Sequence, residues 1–426
     1  MATHGFIESR WTARSFVPAL MKTMLLGVGF ASCATSATAQ LVIDGGEELV
    51  IDGELVTESS RLRVGGPGGA GTLRIINGGR LDVGEGGSLF DHGRIEIDGA
   101  GSVLELAGGL RGSGAGSSLS VKNGGLLQAE RVDFPRDWTF EGVGSRGVLF
   151  DLDIFSDEFN NQLSQVSVTD GAEVHVERGD RVALPNAPGA LVVSGDGSRF
   201  VTSGGMRIGV DQTQLESGSG RVDVLGGAET TVDWVDAESS ELFIHGAGSR
   251  FIAASSGVGQ KGGRTTVADG GRLEITGGLA LARRPGDEAL LLDVRGQGSE
   301  LIVQGFLDTL GVDDSAIATI RVAEGASAHI AGSVGSTLNR VPNRFEVFGG
   351  RVDVGGDAVL VERFDEDPGD SVLHFRLSAD DTLDRAQRAL FTVGGELIIG
   401  TEGLIEVEFV QPSRLALGDV FDLGDF

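Results

Sequence analysis

The sequence contains no tyrosine, one cysteine, three lysines and nine prolines in 426 residues. The single cysteine, Cys33, lies close to the N-terminus, so disulfides and thiolate zinc sites are excluded for the rest of the chain. Phenylalanine and tryptophan together make up only 6% of the residues. After residue 40 no stretch approaches the roughly 20 apolar residues that a membrane helix needs, so no transmembrane helix is predicted.

Glycine is abundant, at 70 of 426 residues, and 40% of the residues are hydrophobic. The glycines do not follow the Gly-x-y period of collagen, and the hydrophobic content is too high for a disordered chain. A fold with many tight turns is therefore predicted.

The formal net charge is −28 at pH 7. An anionic surface of this size disfavours nucleic acid and anionic lipid as partners. Cell-surface, matrix or carbohydrate ligands are the partners that remain compatible with it. The composition leaves the oligomeric state open.

The N-terminal residues have the pattern of an export signal. Met21-Lys22 supplies a basic start, residues 25–30 form an apolar stretch, and Ala37-Thr38-Ala39 is a small-x-small cleavage site. We therefore expect residues 1–40 to be a leader and signal peptide, the mature chain to begin near Gln40, and the protein to be extracellular or on the outer cell surface.

A short element, apolar-x-apolar-x-Gly-x-Gly-Ser, returns along the chain. Its glycine turns fall at a spacing of about 43 to 53 residues, which is typical of a repeat array. The copies begin at Ile95, Trp138, Leu191, Leu242 and Leu292.

A second element, in which an apolar residue and any residue precede Asn or Asp and then Gly-Gly or Gly-Ala, is interleaved with the first. It is followed by alternating apolar residues, which indicates a strand, a glycine turn and another strand. The copies have Asn77, Asn123, Asp170 and Asp269 at the turn, with a glutamate version at Glu324.

Strands of about four residues with one buried face are barely stable alone, but they are stable when stacked coil on coil. The repeats therefore predict an all-β right-handed parallel β-helix over residues 41–345, in which each repeat of about 50 residues supplies two coils of about 20 to 25 residues. A β-propeller is the alternative, although its blades need longer strands and more aromatic packing.

The Gly-x-Gly-Ser turns, the Asn/Asp-Gly-Gly turns and the signal peptide resemble autotransporter (type V secretion) passenger regions and the glycine-rich repeats of PEP-CTERM-associated proteins. Residues 346–426 resemble the closing module of such proteins, and we expect that module to be truncated at Phe426. The resemblance implies an outer-membrane or cell-surface setting and a structural or adhesive, non-catalytic role.

Four carboxylates, Asp151, Asp153, Asp157 and Glu158, are the candidate calcium ligands. They do not fit an EF-hand loop, because Phe155 occupies a ligand position and Ser156 replaces the turn glycine. Calcium is the only cofactor that the sequence suggests. The acidic run at 365–370 is interpreted as a solvated turn.

No catalytic residue is assigned. His175, His245 and His329 occupy positions that hold varied polar residues in the other copies, which predicts a solvated outward location, whereas Trp138 is predicted to lie in the core. Arg178-Gly179-Asp180 has the sequence of a cell-attachment tripeptide, which we interpret as a chance match. The alternative function is a β-helical polysaccharide lyase or hydrolase, which would need acids and an Arg or Lys base on adjacent coils.

Overall fold

Short β-strands follow one another along the chain, separated mostly by glycine-rich turns. The computed structural model describes residues 40–112, 116–133, 136–154, 164–182, 189–209, 220–283, 290–311, 318–335, 343–360, 372–377, 391–394, 396–399, 404–409 and 424–425. All of these residues belong to one unit, Ala39–Phe426. Except for Gln40, the predicted leader lies outside the described residues.

The strands are numbered in chain order. They are β1 Leu41–Ile43, β2 Glu47–Asp52, β3 Leu55–Glu58, β4 Leu62–Val64, β5 Gly71–Ile76, β6 Arg80–Val83, β7 Gly87–Leu89, β8 Arg94–Asp98, β9 Val103–Leu106, β10 Leu110–Gly112, β11 Ser118–Lys122, β12 Leu126–Asp133, β13 Trp138–Glu141, β14 Arg146–Ile154, β15 Ser164–Thr169, β16 Glu173–Val182, β17 Gly189–Ser194, β18 Arg199–Thr202, β19 Gly205–Ile208, β20 Gly220–Leu225, β21 Glu229–His245, β22 Arg250–Ala268, β23 Arg272–Ile275, β24 Gly278–Arg283, β25 Leu290–Arg295, β26 Glu300–Val303, β27 Leu307–Gly311, β28 Ala318–Ala323, β29 Ser327–Ile330, β30 Asn343–Phe348, β31 Arg351–Val354, β32 Ala358–Leu360, β33 Val372–Leu377, β34 Phe391–Val393, β35 Leu397–Ile399, β36 Leu404–Phe409 and β37 Gly424–Asp425.

Every strand pairs in parallel with the strand one coil away, and the pairings form three stacks. Sheet A begins with β1, β4 and β7, sheet B with β2, β5 and β8, and sheet C with β3, β6 and β9. The long strands β21 and β22 pass through all three sheets in turn. In sheet A, Val334 bridges Leu307 and Ala358, which leads into the two-stranded pair of β32 and β35.

Side chains that contact one another on adjacent coils are mostly 20 to 30 residues apart in the sequence, as for Arg221 with Glu241 and Arg199 with Glu229. Two such coils account for one repeat of about 50 residues, as the sequence predicts. The fold is a right-handed parallel β-helix. A propeller is excluded, because its blades would pair neighbouring strands antiparallel.

Alternate residues of each strand point into the helix and form one continuous core. Leu73 and Ile75 on sheet B and Leu81 on sheet C are fully buried, and each inward residue stacks on its counterpart one coil away. Trp138 is 1% exposed, so its predicted core location is confirmed. Phe345 and Phe391 meet edge to face, with their ring centroids 6.0 Å apart.

The two sequence elements form the same corner, between sheets B and C, on alternating coils. The Asn/Asp turns at 77, 123, 170 and 269 and the Gly-x-Gly-Ser turns at 99, 142, 195, 246 and 296 succeed one another up this corner. Asn77 and Asp269 both have φ of 52°, a left-handed backbone that Asn and Asp tolerate better than most residues. This is why those residue types recur there.

The serine of each Gly-x-Gly-Ser turn joins two coils. Ser102 Oγ donates to the carbonyl oxygen of Asp98 in its own turn at 2.7 Å and accepts from the backbone N–H of Gly78, one coil earlier, at 3.1 Å. The same pair of bonds recurs at Ser145, Ser198, Ser249 and Ser299. All five serines are fully buried. We call this arrangement the serine clamp.

Strands on both sides of residue 345 belong to the same sheets. β30 spans the predicted boundary and pairs with β28 before it and β33 after it. The division into a repeat region and a closing module therefore stays a prediction from the sequence. None of the residues that the structure describes forms a helix long and apolar enough to cross a membrane.

Candidate functional site

The candidate calcium ligands that the structure describes lie on the wall of sheet A. Asp151 and Asp153 belong to β14, on either side of the inward residue Leu152. Asp153 is 4% exposed although its side chain points outward. Asp157 and Glu158 lie outside the described residues, as does the acidic run at 365–370.

A guanidinium already binds the Asp153 carboxylate. Arg131 Nη2 lies 2.8 Å from Asp153 Oδ2, and Arg131 Nε lies 2.5 Å from Asp133 Oδ1. The hydrogen bond to Asp133 raises the pKa of Arg131. Across the described part of the chain, no three Asp, Glu, His or Cys side chains are grouped as a metal would need. The calcium site stays a prediction.

This arrangement belongs to a recurring motif that sequence reasoning missed: an arginine, an inward apolar residue and then an acid on one strand. The two charged side chains point to the same outer face, because side chains alternate along a strand. Ion pairs within 4.0 Å form at 80–82, 94–96, 131–133, 221–223, 272–274, 344–346 and 351–353. The signal was visible as the repeated Arg-apolar-Asp/Glu pattern.

Ion pairs also run from coil to coil along sheet C. Arg250 lies between two acids of neighbouring coils, 3.5 Å from Glu229 and 3.3 Å from Glu274. Arg199 and Arg272 extend the series, at 3.0 Å from Glu229 and 3.4 Å from Glu300. We call this series the sheet C ladder. Opposite charges directly across adjacent strands stabilise the pairing of the coils.

Four carboxylates on the outer face of sheet B are nearly buried, and each is flanked by basic side chains. Glu96 receives a 2.6 Å contact from Lys122 and a 3.1 Å contact from Arg74. The hydrogen bond from Lys122 holds the pKa of Glu96 below its usual value, against the opposing effect of burial. The other three, with their partners, are Asp223 with Arg221, Asp293 with Arg264, and Glu346 with Arg321 and Arg344.

The three histidines occupy outward positions on separate coils, as the sequence predicts. His245 Nε2 lies 2.5 Å from Asp269 on the next coil, and its ring stacks on Phe243 at 5.5 Å. His329 lies 3.6 Å from Asp353. His175 is half-buried on the outer face of sheet C. The structure does not bring these residues together at one site.

The Arg-Gly-Asp tripeptide lies inside β16 and not at the tip of a loop. Gly179 pairs with Asp151 on one side and Gly205 on the other, so the tripeptide is part of the sheet A wall. The Arg178 guanidinium lies 5.7 Å from the centroid of the Phe150 ring.

These contacts meet one part of the requirement for a β-helical lyase or hydrolase, because Arg131, Asp133 and Asp153 place two acids and an arginine on neighbouring coils. The same composition recurs at other coils, for example at Arg272, Glu274 and Glu300. This combination of an arginine and two acids recurs on several coils because it pairs adjacent coils. It therefore does not identify any one of these positions as a catalytic site.

No family model and no curated protein matches the sequence. One similar solved structure is the TibC-catalysed hyper-glycosylated TibA55-350 fragment. The two chains are 13% identical, the similarity covers 86% of this chain and 97% of the fragment, and the TM-score is 0.36. The fold of this chain rests on its own strand pairings.

Proposed function

We propose that the chain is an exported, non-catalytic structural and adhesive protein, whose β-helix acts as a durable scaffold outside the cell. The observation that carries the scaffold role is the serine clamp, which ties coil to coil five times at the same corner. Each clamp satisfies a backbone N–H and a carbonyl oxygen without a disulfide.

Two kinds of contact join adjacent coils, the ion pairs and the serine clamps, and they differ in the free energy that each contributes. A surface ion pair, such as the partly exposed pairs of the sheet C ladder, contributes about 0–1 kcal/mol. Loss of a clamp hydroxyl leaves the buried backbone N–H on the neighbouring coil without its partner, at about 1–3 kcal/mol. One serine clamp therefore contributes more to cohesion of the coils than one surface ion pair does.

The acidic surface and the sequence-predicted signal peptide fit an extracellular setting. A net charge of −28 keeps a long β-sheet protein soluble and opposes association of its strands with other chains. Under this proposal the chain shares an extracellular structural and adhesive role with autotransporter passengers, which its repeats resemble.

Export is tested by cell fractionation of the full chain, with protease added to intact cells. We expect the wild type outside the cytoplasm, a new N-terminus near Gln40, and cytoplasmic retention when residues 21–40 are deleted. A wild type that stays in the cytoplasm with Met1 intact would overturn the proposal.

The lyase or hydrolase alternative is tested separately with the purified chain and a panel of polysaccharides. We expect the polymer length to remain constant over prolonged incubation. Shortening of a polymer that disappears in the Asp133→Asn variant would replace the scaffold proposal with the enzymatic one.

A further inference from the structure

An aromatic and glycine lane runs along the outer face of sheet A. The outward register position there holds Gly205, Trp234, Gly257 and Gly278 on four successive coils. Phe306 follows on the next coil, immediately before β27, and its ring contacts Gly278. We call these five residues the sheet A lane.

The two aromatic rings each lie over the glycine of the preceding coil. A Cβ at Gly205 would clash with the Trp234 indole, and a Cβ at Gly278 would clash with the Phe306 ring. One face of each ring thus covers a glycine of the preceding coil, and this contact stabilises the sheet. Trp234 nevertheless remains only half-buried, and Phe306 is 53% exposed.

Between the rings, the outward register positions hold only small residues. Trp234 and Phe306 are three coils apart, about 14 Å at the usual strand spacing. The adjoining outward position carries Gly259 and then Ala280 over the same coils. We call the positions of Gly257, Gly259, Gly278 and Ala280 the floor of the lane.

Polar groups border the floor at both ends. Arg207 and Asp236 precede Gly259 in the adjoining register position, and Asp308 follows Ala280. The Arg207 guanidinium lies 5.6 Å from the Trp234 ring centroid. Aromatic faces beside carboxylates and a guanidinium offer both an apolar surface and hydrogen bonds to hydroxyl groups.

We propose that the sheet A lane binds a neutral polysaccharide chain, whose sugar rings stack on Trp234 and Phe306. Sugar rings combine apolar C–H faces with hydroxyl edges, and an extended polymer can reach both rings across several coils. The net charge of −28 disfavours an acidic polymer. The inference rests on the proposed adhesive function and names its ligand class.

The test uses the full chain in the Trp11→Phe background, run in gels that contain dextran, mannan or galactomannan, with alginate and hyaluronan as acidic probes. We expect retardation by at least one neutral polymer and by neither acidic one. In that background the accessible tryptophan is Trp234, because Trp138 is 1% exposed. Binding is therefore expected to protect the fluorescence from acrylamide quenching.

Two variants and one control locate the site. Trp234→Ala removes one ring, and Ala280→Arg fills the floor without altering a buried residue; each is expected to weaken binding by about tenfold or more, equivalent to about 1.4 kcal/mol. Phe150→Ala removes an exposed aromatic residue outside the lane and should bind as the wild type does.

The lane proposal is overturned if no neutral polymer retards the chain, if only acidic polymers do, or if Ala280→Arg binds normally. Protease treatment of intact cells measures whether each variant reaches the cell surface. An exported wild type that binds none of the neutral polymers refutes the lane alone, whereas a wild type retained in the cytoplasm refutes the proposed function.

Discussion

The buried hydroxyl of Ser102 accepts a hydrogen bond from the backbone N–H of Gly78, which lies 24 residues earlier and one coil away. The same hydroxyl donates to the Asp98 carbonyl oxygen. One small side chain thus satisfies backbone groups on two coils at this corner.

Ser102→Ala should destabilise the chain by about 1–3 kcal/mol, because the Gly78 N–H and the Asp98 carbonyl lose their partner in a buried place. Urea unfolding measures the loss, and hydrogen exchange at Gly78 shows whether it is local. Ser120→Ala, on the half-buried outer face of sheet B, is the matched control and should change stability by less than about 0.5 kcal/mol. Equal effects of the two changes would contradict the clamp.

The coils and their corners could be predicted from the sequence because their signals are local. Two strands with alternating apolar residues and a turn of Asn77-Gly78-Gly79 occupy about a dozen consecutive residues. The left-handed φ that Asn77 adopts also follows from its residue type and its place before two glycines. The inward direction of Trp138 follows from the same alternation.

The clamp and the sheet A lane depend instead on register between coils, which the sequence does not reveal. Ser102 meets Gly78 across 24 residues, whereas Ser299 meets Gly270 across 29, because the lengths of the coils vary. Trp234 covers Gly205 only because the strands that carry them are adjacent in sheet A. No fixed spacing in the sequence indicates either contact.

Gly204→Ala should be among the most damaging single changes. A Cβ at Gly204 would lie within bonding distance of the Arg178 carbonyl oxygen on the preceding coil, although φ of Gly204 is outside the left-handed region. We expect a loss of more than about 3 kcal/mol in the free energy of unfolding.

The matched control for that change is Gly179→Ala, one coil earlier. The nearest atom to a Cβ at Gly179 is the Gly205 carbonyl oxygen at 3.3 Å, a contact that a small shift relieves. Thermal unfolding should therefore separate the two variants clearly. If both unfold at the wild-type temperature, coil stacking is looser at this corner than the structure shows.

The ionised Glu96 carboxylate should make the free energy of unfolding depend on pH in the acidic range. Since its folded pKa lies below its usual value, its contribution is fully present above the unfolded carboxyl pKa of about 4.3 and is lost as pH falls through the lower folded pKa. Glu96→Gln should be less stable than the wild type at pH 7, and the difference should shrink toward pH 2. Urea titrations across this range measure it, with the exposed Glu54→Gln as control. A difference that stays constant with pH would contradict the ion pair.

Asp153 tests whether the cation on the sheet A wall is a guanidinium or a metal. Arg131→Met should destabilise the chain by about 1–3 kcal/mol, because the nearly buried Asp153 carboxylate then loses a 2.8 Å contact that helps to offset its desolvation. If Arg131 is the resident partner, calcium or a chelator should leave the unfolding temperature of the wild type unchanged. A rise with calcium that disappears in Asp157→Asn and Glu158→Gln, but persists in Arg131→Met, would instead assign calcium to the predicted acidic segment. Thermal unfolding of the four proteins with and without calcium distinguishes these outcomes, because a bound metal ion would compete with the guanidinium for the same carboxylate.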